Sequence, residues 1–389
     1  MKNIGILEIH FHLKFLHTTM KICKTKDTKV TVFTTKNLLK RLETYLDDKS
    51  KYEFILKDDD ETAYSFLKRV EKICNERIDI LFVNTIQIST LRIPFFLRFR
   101  PKSKMILTVH MANHWLKAKF AFNIRNIFRS LDVAFSIILI RLILLRKYDA
   151  INVIYPPIKD FIKNETSYKK EVYTIPFNFY DKTKKTTSSK KDTKIKFVIP
   201  GLIETYRRNY DFALDVFEKL FKKYNKKIAL SVIGKPVGAG GNRIIQRCEK
   251  LKKKGYNISF SKGFVPEEEY NKISTESDMI FSPLNVRTKR DTGVEEIYGK
   301  TEGSALPFEA IQYCKPLIVP DEFNVIKEMK SSTIQYGSAN DLEKKIIEIM
   351  QDTAKLQSLK KEALKNSEHF SLDVLQKYFT EEILDKLDA

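Results

Sequence analysis

The chain has 389 residues, with 70 lysines and arginines against 49 aspartates and glutamates, so its formal net charge is +21. Hydrophobic residues make up 43% and aromatic residues 12%, which excludes a disordered protein. The length exceeds one ordinary core and suits two α/β domains. The charge favours anionic partners, namely nucleotide diphosphates, nucleic acid or an acidic membrane surface.

In the first half, apolar runs typical of strands alternate with stretches of helical spacing. Predicted strands cover residues 4–9, 30–34, 53–56, 78–83, 105–109, 150–154 and 172–175. Predicted helices cover residues 38–46, 61–75 and 88–99. Strands separated by helices predict a parallel, doubly wound sheet, which we assign to a first domain over residues 1–180.

One apolar run, residues 135–145, contains Arg141 and is shorter than the about 18–20 apolar residues that span a bilayer. A buried helix of the first domain is one interpretation. The preceding residues 117–129 are basic and aromatic, so both segments could instead form a surface that rests on anionic lipid. The chain begins M-K-N-I-G-I-L-E-I, a strand pattern that differs from a signal peptide.

Residues 181–194 are polar and charged without apolar anchors, which predicts a linker. A second alternation follows and predicts a second domain over residues 195–366. Its predicted strands cover residues 195–199, 228–233, 258–260 and 279–281, and its predicted helices cover 210–224, 242–254, 266–276, 341–352 and 354–366. The C-terminal segment 367–389 contains a last predicted helix over 372–387.

The cysteines are isolated along the chain and form no C-x-x-C pair. They are Cys23, Cys74, Cys248 and Cys314. This usage is typical of a reduced, cytoplasmic protein with buried thiols.

Residues 299–320 carry the strongest functional pattern. They place Glu302 and Glu309 around a small-residue turn, followed by a short helix and an apolar strand. The turn consists of Gly303, Ser304 and Ala305. Open backbone N–H groups at such a helix start can bind a diphosphate, and a carboxylate one turn later can accept two ribose hydroxyls. The segment therefore predicts half of a nucleotide-sugar pocket.

This segment resembles the donor-site signature of retaining glycosyltransferases of the GT-B fold, the glycosyltransferase family 4 group. That signature has two glutamates eight positions apart and a glycine before its final strand. Here Glu302 lies seven positions before Glu309, so either Glu302 or Thr301 could fill the first glutamate position. Cys314 occupies the place of the usual glycine, and we expect a left-handed helix end there to cost roughly 1 kcal/mol.

The resemblance implies two Rossmann-like doubly wound domains facing across a cleft, with the last helix crossing back to the first domain. It implies retaining transfer of a sugar from a UDP- or GDP-linked donor to a glycan or lipid-linked acceptor. Cell-surface polysaccharide or glycoprotein glycan synthesis would be the setting. No cofactor and no essential divalent metal is implied.

Further pieces of the donor site follow from the same resemblance. Gly201 matches the turn after the first donor strand, and Gly234 with Lys235 matches the turn after the second. Phe264 and Val265 match the base-binding stretch. These matches imply donor-binding roles for all five residues.

The phosphate and ribose contacts are also implied by the resemblance. Leu202 stands where the family has an arginine, whereas Arg208 fits the position of the family's lysine. We expect Arg208 and Lys235 to bind the diphosphate and Glu309 to bind the ribose. The alternatives are solvated surface cations and a helix acid that favours the macrodipole.

His110 ends a predicted strand, and family members carry a histidine at a similar strand end facing the reacting sugar. The resemblance implies catalytic roles for His110 and Glu302, whereas a hydrogen-bonded core histidine is the rival interpretation for His110. The loop 285–300 is longer than the family needs, so it could be a mobile lid or a solvated excursion.

Three further hypotheses remain. His10, His12 and His17 suggest a metal site, with His10 and His12 on one face of a strand, but no carboxylate or cysteine completes the set. A GT-B-like scaffold subunit without catalysis would explain the altered glutamate spacing. A nucleic-acid binder would explain the charge, although no aromatic–basic RNA motif is visible.

Overall fold

The structure is a computed structural model that describes residues 1–86, 93–117, 127–183, 194–289 and 294–388. The chain divides into two compact units. The first consists of Met1–Asn178, Lys289–Gly303 and Leu372–Ala389, and the second of Phe179–Thr288 and Ser304–Ser371. Residues 289–303 thus belong to the first unit, although the predicted donor domain, 195–366, includes them. Most of the predicted linker, 184–193, lies outside the described residues.

The first unit is built on a seven-stranded sheet in which the paired strands run parallel. Its strands are β1 (Lys2–Leu7), β2 (Thr28–Thr35), β3 (Glu53–Lys57), β4 (Ile80–Val83), β5 (Lys104–Thr108), β6 (Ala150–Val153) and β7 (Glu171–Thr174). They lie in the order β3-β2-β1-β4-β5-β6-β7. The predicted doubly wound sheet is confirmed. The strand order reverses between β1 and β4, which is where such sheets bind ligands, outside the carboxyl ends of the strands.

Helices connect these strands. They are Leu13–Cys23, Lys36–Leu42, Ala63–Arg77, Ile93–Arg98, Ile127–Leu139, Leu145–Lys147 and Pro156–Glu165, with single π-helical turns at Asn113–Lys117 and Ile140–Leu144 and a 3-10 turn at Lys49–Lys51. The helix Leu13–Cys23 was not predicted, because buried polar residues interrupt its apolar pattern. Thr19 is one of them, and its hydroxyl donates to the Phe15 carbonyl oxygen at 2.9 Å. Residues 87–92 of the predicted helix 88–99 lie outside the described residues.

The C-terminal segment, Leu372–Tyr378, Phe379–Leu384 and Asp385–Asp388, returns to the first unit. The Gln376 amide donates to the carbonyl oxygens of Lys21 and Lys24, at 3.0 and 2.6 Å. These carbonyls lie at the C-terminal end of the first helix, where intrahelical donors run out. The Thr174 N–H also donates to the Tyr378 hydroxyl oxygen at 3.2 Å. The last residues therefore complete the fold of the first unit.

The apolar run lies in a continuous helix over residues 127–147, which we call the apolar helix. One side is a core face, with Ile137 and Ile140 buried, but Phe135 and Leu142 are each 54% exposed. The buried-helix interpretation therefore holds for one side of the helix and is wrong for the other side. None of the described helices combines the length and hydropathy that crossing a bilayer requires.

The second unit is built on a six-stranded sheet in which the paired strands are also parallel. Its strands are β8 (Ile195–Pro200), β9 (Ile228–Ile233), β10 (Ile258–Phe260), β11 (Met279–Phe281), β14 (Leu317–Pro320) and β15 (Thr333–Tyr336). Two short strands belong to neither large sheet: β12 (Arg287–Lys289), and β13 (Glu295–Ile297), which lies in the first unit. The order is β10-β9-β8-β11-β14-β15. When the strands of each sheet are counted in chain order, both sheets begin 3-2-1-4-5-6. The order of the second sheet therefore reverses between β8 and β11.

The helices of the second unit are Tyr210–Tyr224, Gly238–Lys253, Glu267–Glu276, Leu306–Gln312, Ala339–Gln351 and Thr353–Glu368, with a 3-10 turn at Lys327–Ser332. Aromatic rings join helix and sheet in the core. The Phe217 ring lies 5.2 Å from that of Phe197 and 6.0 Å from that of Phe281. All four cysteines are free thiols, and they are buried, as predicted from the sequence.

Candidate functional site

Two glycines bring the turns after β8 and β9 into contact. Gly201 has φ +99° and Gly234 has φ +142°, backbone conformations that side chains rarely allow. A Cβ atom added to Gly234 would overlap the carbonyl oxygen of Gly201. Both positions therefore require glycine, and their turns form one compact surface at the carboxyl end of the second sheet.

The guanidinium of Arg208 lies against this surface. A Cβ atom on Gly201 would come within 2.7 Å of Arg208 Nη2, so the missing side chain makes room for the cation. Arg208 Nη1 donates to the Leu202 carbonyl oxygen at 2.8 Å and to the Tyr210 hydroxyl oxygen at 3.0 Å. These two bonds orient the planar fork and leave Nη2 directed at the glycine turn.

The loop that carries Arg208 is fixed at the reversal point of the sheet. The Asn209 N–H donates to the Pro283 carbonyl oxygen at 2.7 Å, and the Asn285 N–H donates to the Arg207 carbonyl oxygen at 2.9 Å. Residues 283–285 follow β11, whereas Gly201 follows β8. Arg208 therefore lies between the two strands where ligands bind in doubly wound sheets.

Lys235 follows Gly234 in the second turn. Its carbonyl oxygen accepts from the Ile203 N–H at 2.9 Å, which ties the turn to the loop after β8. Its ammonium is exposed and forms no ion pair with a residue that the structure describes. Lys235 therefore has a positioned backbone and a side chain that can move toward an anion.

The predicted base-binding stretch places one aromatic ring in solvent. Phe264 is 79% exposed, whereas its neighbour Val265 is buried. Ser261, which precedes them, accepts from the Gly234 N–H and donates to the Gly234 carbonyl oxygen, both at 2.7 Å. The stretch is thus tied to the glycine turn, and Phe264 offers a face on which a planar ring can stack.

Glu309 lies in the first turn of the helix Leu306–Gln312 and is buried, at 4% exposure. Its environment includes Tyr270. Burial raises the pKa of the Tyr270 hydroxyl well above its usual range, the Glu309 carboxylate raises this pKa further, and the Arg208 guanidinium opposes them. Tyr270 therefore stays protonated, within electrostatic range of both predicted donor-site residues.

The helix start at Ser304 differs from the predicted open anion site. The Ser304 hydroxyl oxygen accepts from the Leu306 N–H at 3.3 Å, and Ala305 is the N-cap residue without a side-chain cap. One of the N–H groups at the helix entrance is therefore already bonded. The helix has only seven residues, so its macrodipole offers limited help to a diphosphate.

Cys314, two residues beyond the end of the helix Leu306–Gln312, has φ +52°. It occupies the left-handed position usually taken by glycine, and the following Lys315 N–H donates to the Ala310 carbonyl oxygen at 2.9 Å. The strained cap expected from the sequence is thus present.

Glu302 and Gly303 belong to the first unit. The Glu302 backbone pairs with that of Met111, and its Oε1 accepts from the Tyr298 hydroxyl at 3.4 Å. A Cβ atom on Gly303 would overlap the Ile154 side chain. Ser304, Ala305 and Glu309 are assigned to the second unit.

The described end of the predicted loop 285–300 is anchored by a buried acid. Glu296 has no exposed surface, and its Oε1 accepts from the His114 N–H at 2.7 Å. Its other oxygen accepts from the Thr301 hydroxyl. The solvated-excursion interpretation is wrong for residues 295–300, while residues 290–293 lie outside the described residues. Thr301 is engaged with Glu296.

A polar cluster lies at the reversal point of the first sheet. Glu8 directly follows β1 and is fully buried. Its Oε2 accepts from the Thr85 hydroxyl at 2.5 Å and its Oε1 accepts from the His10 N–H at 2.7 Å. Burial raises the pKa of the Glu8 carboxyl, although these hydrogen bonds lower it. Glu8 thus shapes the loop after β1.

His110 follows β5 in the same cluster. It is half-buried, and its Nε2 donates to the Asn84 carbonyl oxygen at 3.0 Å. The His12 ring lies 4.2 Å from the His110 ring, and Phe15 meets the His110 ring edge-on at 5.9 Å. One ring nitrogen of His110 is therefore fixed as a donor, and the ring is held in a defined orientation.

The metal hypothesis finds no support in the described residues, which contain no group of three or more His, Cys, Asp or Glu side chains placed to hold a metal ion. His10 and His12 do not lie on a strand, because β1 ends at Leu7 and the following residues turn around Glu8. His17 lies inside the first helix.

The structure thus brings Gly201, Gly234, Arg208 and Tyr270 together in the second unit, and Glu8 and His110 in the first. Glu8 was not among the predicted site residues, whereas Tyr270 belongs to the stretch that resembles the family's base-binding segment. Glu8 lay inside the predicted strand 4–9, and only the structure, in which β1 ends at Leu7, places it at the edge of the sheet where ligands bind.

No protein-family model matches the chain, and no curated protein matches it. Solved structures do. HepE from Anabaena in complex with UDP has 11% identity and a TM-score of 0.65, covering 99% of this chain and 100% of that chain. Sucrose-phosphate synthase from Thermosynechococcus elongatus has 12% identity and a TM-score of 0.64, covering all of both chains. TarM has 12% identity and a TM-score of 0.65, covering 98% of each chain. These similarities confirm the GT-B fold.

Proposed function

From the GT-B fold and the second-unit site, we propose that the protein is a glycosyltransferase. It moves a sugar from a UDP- or GDP-linked donor to a glycan or lipid-linked acceptor, with retention of configuration. Cell-surface polysaccharide or glycoprotein glycan synthesis is the setting we favour. HepE, with the same fold, was solved with UDP and with UDP and glucose, which supports a nucleotide-sugar donor.

The observation that carries the proposal is Arg208 held against Gly201 at the reversal point of the second sheet. A glycine turn allows a phosphate to approach the backbone, and a guanidinium binds phosphate oxygens through two parallel N–H groups. A diphosphate leaving group requires both features, because its negative charge grows as the glycosidic bond breaks.

We assign the remaining donor contacts to three further residues. Lys235 adds a second positive charge from its exposed position, and Phe264 stacks on the base. Glu309 accepts the ribose hydroxyls, and Tyr270 orients Glu309. Because Arg208 and Lys235 can neutralise the leaving group, we expect transfer to continue when divalent metal is removed with EDTA.

We assign His110 and Glu302 of the first unit to the reacting sugar. The bond from the anomeric carbon to the diphosphate oxygen breaks, and a bond to the acceptor oxygen forms on the same face. The acceptor proton passes to the departing phosphate oxygen, so no protein nucleophile is required. His110 can position a sugar hydroxyl because Asn84 fixes its ring. Retention itself rests on the resemblance to family 4 enzymes.

The test is a panel of UDP, GDP, ADP and CMP added to the wild-type protein, with thermal unfolding as the readout. We expect one diphosphate to raise the unfolding temperature by several degrees, because a ligand at 100 times its Kd stabilises by about 2.7 kcal/mol. Glu309→Gln should lower nucleotide affinity and turnover at least tenfold. The matched control is Glu268→Gln, which removes an exposed acid from another first helical turn.

A scaffold subunit without catalysis is the second candidate. Leu202, 48% exposed, supplies no cation where the family has arginine, and Glu302 is displaced in sequence. Nucleotide binding without sugar release from any UDP- or GDP-sugar would favour this candidate. Absence of stabilisation by every nucleotide would overturn the donor-site proposal, as would an equal loss in Glu309→Gln and Glu268→Gln.

A further inference from the structure

The apolar helix, residues 127–147, exposes a stripe of large apolar side chains. Phe128 is 86% exposed, Leu131 49%, Phe135 54%, Ile138 37% and Leu142 54%. Their spacing of three and four residues places them on one face of the helix. Monomeric proteins seldom expose such a continuous apolar strip unless it contacts another surface.

The stripe is held in place by the opposite side of the helix. Ile137 and Ile140 are buried in the first unit. Arg141 donates from Nε to the Trp115 carbonyl oxygen at 2.9 Å and from Nη2 to the His114 carbonyl oxygen at 3.2 Å. Arg141 is half-buried, and its hydrogen bonds to the backbone of the turn Asn113–Lys117 help to fix the position in which the helix presents its apolar face.

A basic cleft lies beside this helix. The helix Ile93–Arg98 packs both against Ala63–Arg77 and against the turn Ile140–Leu144, so it connects the cleft to the stripe. The cleft has a volume of about 520 Å³. Its wall contains Tyr64 and Phe95, whose ring centroids are 5.6 Å apart.

Cations outnumber acids in this cleft. Lys68, Lys72 and Arg98 line it, against Glu71 and Glu76. Lys68 Nζ lies 4.7 Å from the centroid of the Tyr64 ring and Arg98 Cζ lies 6.0 Å from it, so two cations converge on one aromatic side chain. All three cations are exposed and can reach an anionic group that enters the cleft.

We propose that this face of the first unit docks on an anionic lipid bilayer. The stripe enters the boundary between head groups and acyl chains, and the basic cleft binds lipid phosphates. A membrane fits better than a second copy of the chain, because each copy carries a net charge of +21 and would bring like charges together. Docking of this kind needs no helix that spans the bilayer.

The first test uses the full chain and vesicles of phosphatidylcholine with about one-third phosphatidylglycerol, with sedimentation as the readout. Phe135→Ser combined with Leu142→Ser should lower vesicle binding at least tenfold, because two large apolar side chains lose their burial. The matched control is Leu364→Ser, which removes an apolar side chain that is 40% exposed in the second unit and should leave binding unchanged.

The second test isolates the charge. Lys68→Gln combined with Arg98→Gln should weaken binding to the anionic vesicles about tenfold or more, since each cation near such a surface contributes about fivefold. Lys222→Gln, an exposed cation of the second unit, is the control. At about 1 M salt the screening length is about 3 Å. The difference in vesicle binding between the wild type and the variant Lys68→Gln with Arg98→Gln should then become smaller.

Three results would overturn the proposal. One is equal binding to pure phosphatidylcholine and to anionic vesicles. Another is unchanged vesicle binding by the variant Phe135→Ser with Leu142→Ser, when near-UV circular dichroism shows that this variant is folded. The third is a dimer, detected by light scattering without lipid, that Phe135→Ser with Leu142→Ser dissociates, because the stripe would then be covered by a second copy.

Discussion

Replacing Gly201 with alanine should act on ligand binding through Arg208. The added Cβ atom would lie 2.7 Å from Nη2, 3.3 Å from Nη1 and 3.4 Å from Cζ of Arg208. Since carbon and nitrogen atoms in ordinary contact are about 3.5–4.0 Å apart, the guanidinium must withdraw by about 1 Å. Its bond to the Leu202 carbonyl oxygen, now 2.8 Å, would then be lost.

Two contributions set the magnitude of the Gly201→Ala effect. The φ of +99° costs a residue with a side chain roughly 1–3 kcal/mol of folding free energy. Displacement of the cation removes a charge-assisted phosphate contact of about 1.5–3 kcal/mol, which corresponds to a loss of UDP affinity of about 10- to 100-fold. We therefore expect a folded but less stable protein that binds UDP poorly.

The assay is calorimetric titration with UDP, with urea unfolding measured in parallel. Gly255→Ala is the matched control, because Gly255 has φ +80° and no atom within 4 Å of an added Cβ. It should lose stability without losing UDP affinity. In the cycle with Arg208→Met, the double variant should bind UDP no more weakly than Arg208→Met alone, because both changes remove one interaction. Additive losses in this cycle, or an affinity loss in Gly255→Ala, would refute the reasoning.

Three further changes test local energetics. Glu8→Gln should flatten the pH dependence of stability. Burial raises the pKa of Glu8 from 4.5, so the folded state favours the protonated acid. In the wild-type protein, stability should therefore fall as the pH rises from 4.5 through the folded pKa, by up to about 1.4 kcal/mol for each pH unit. Cys314→Val should lower the free energy of unfolding by about 1–2 kcal/mol more than Cys314→Ala, because a β-branched residue at φ +52° is strained. Lys315→Met should abolish a rise in stability of roughly 1–3 kcal/mol between about pH 8 and 10.5, because burial lowers the pKa of Lys315 to about 8 and the folded state favours the neutral amine.

Urea midpoints across pH measure the Glu8 and Lys315 effects, and midpoints at pH 7 measure the Cys314 effect. Parallel pH profiles for wild type and Glu8→Gln would contradict the burial argument for Glu8. Equal stability of Cys314→Val and Cys314→Ala would contradict the strained cap. If the stability of Lys315→Met still rose between about pH 8 and 10.5, the rise would have to come from another titrating group.

Local patterns predicted the second sheet best. The helix Tyr210–Tyr224 and the strand Ile228–Ile233 have the bounds that periodicity gave them. Both elements carry their own signal, because apolar spacing, an N-cap asparagine and short connections all agree. The helix Leu13–Cys23 lacks that agreement. Its buried threonines interrupt the apolar spacing, and the backbone carbonyl oxygens that accept from their hydroxyls are known only from the structure.

The placement of residues 289–303 could not be predicted from local sequence. Their assignment to the first unit depends on contacts such as the Ala112 N–H donating to the Thr301 carbonyl oxygen at 2.8 Å, between positions far apart in the chain. Glu302 and Glu309 look like one motif because they are seven positions apart. The chain passes from one unit to the other between Gly303 and Ser304, so they lie in different units.

The hydrogen bonds from Gln376 to the end of the first helix have a consequence during synthesis. Lys24 leaves the ribosome 352 residues before Gln376. At about 5–20 residues per second, the first helix waits on the order of tens of seconds for the donor that caps its last carbonyls. The second unit, in contrast, is complete at Ser371, before the first unit has all of its segments. The unit that begins the chain is therefore the one that finishes folding last.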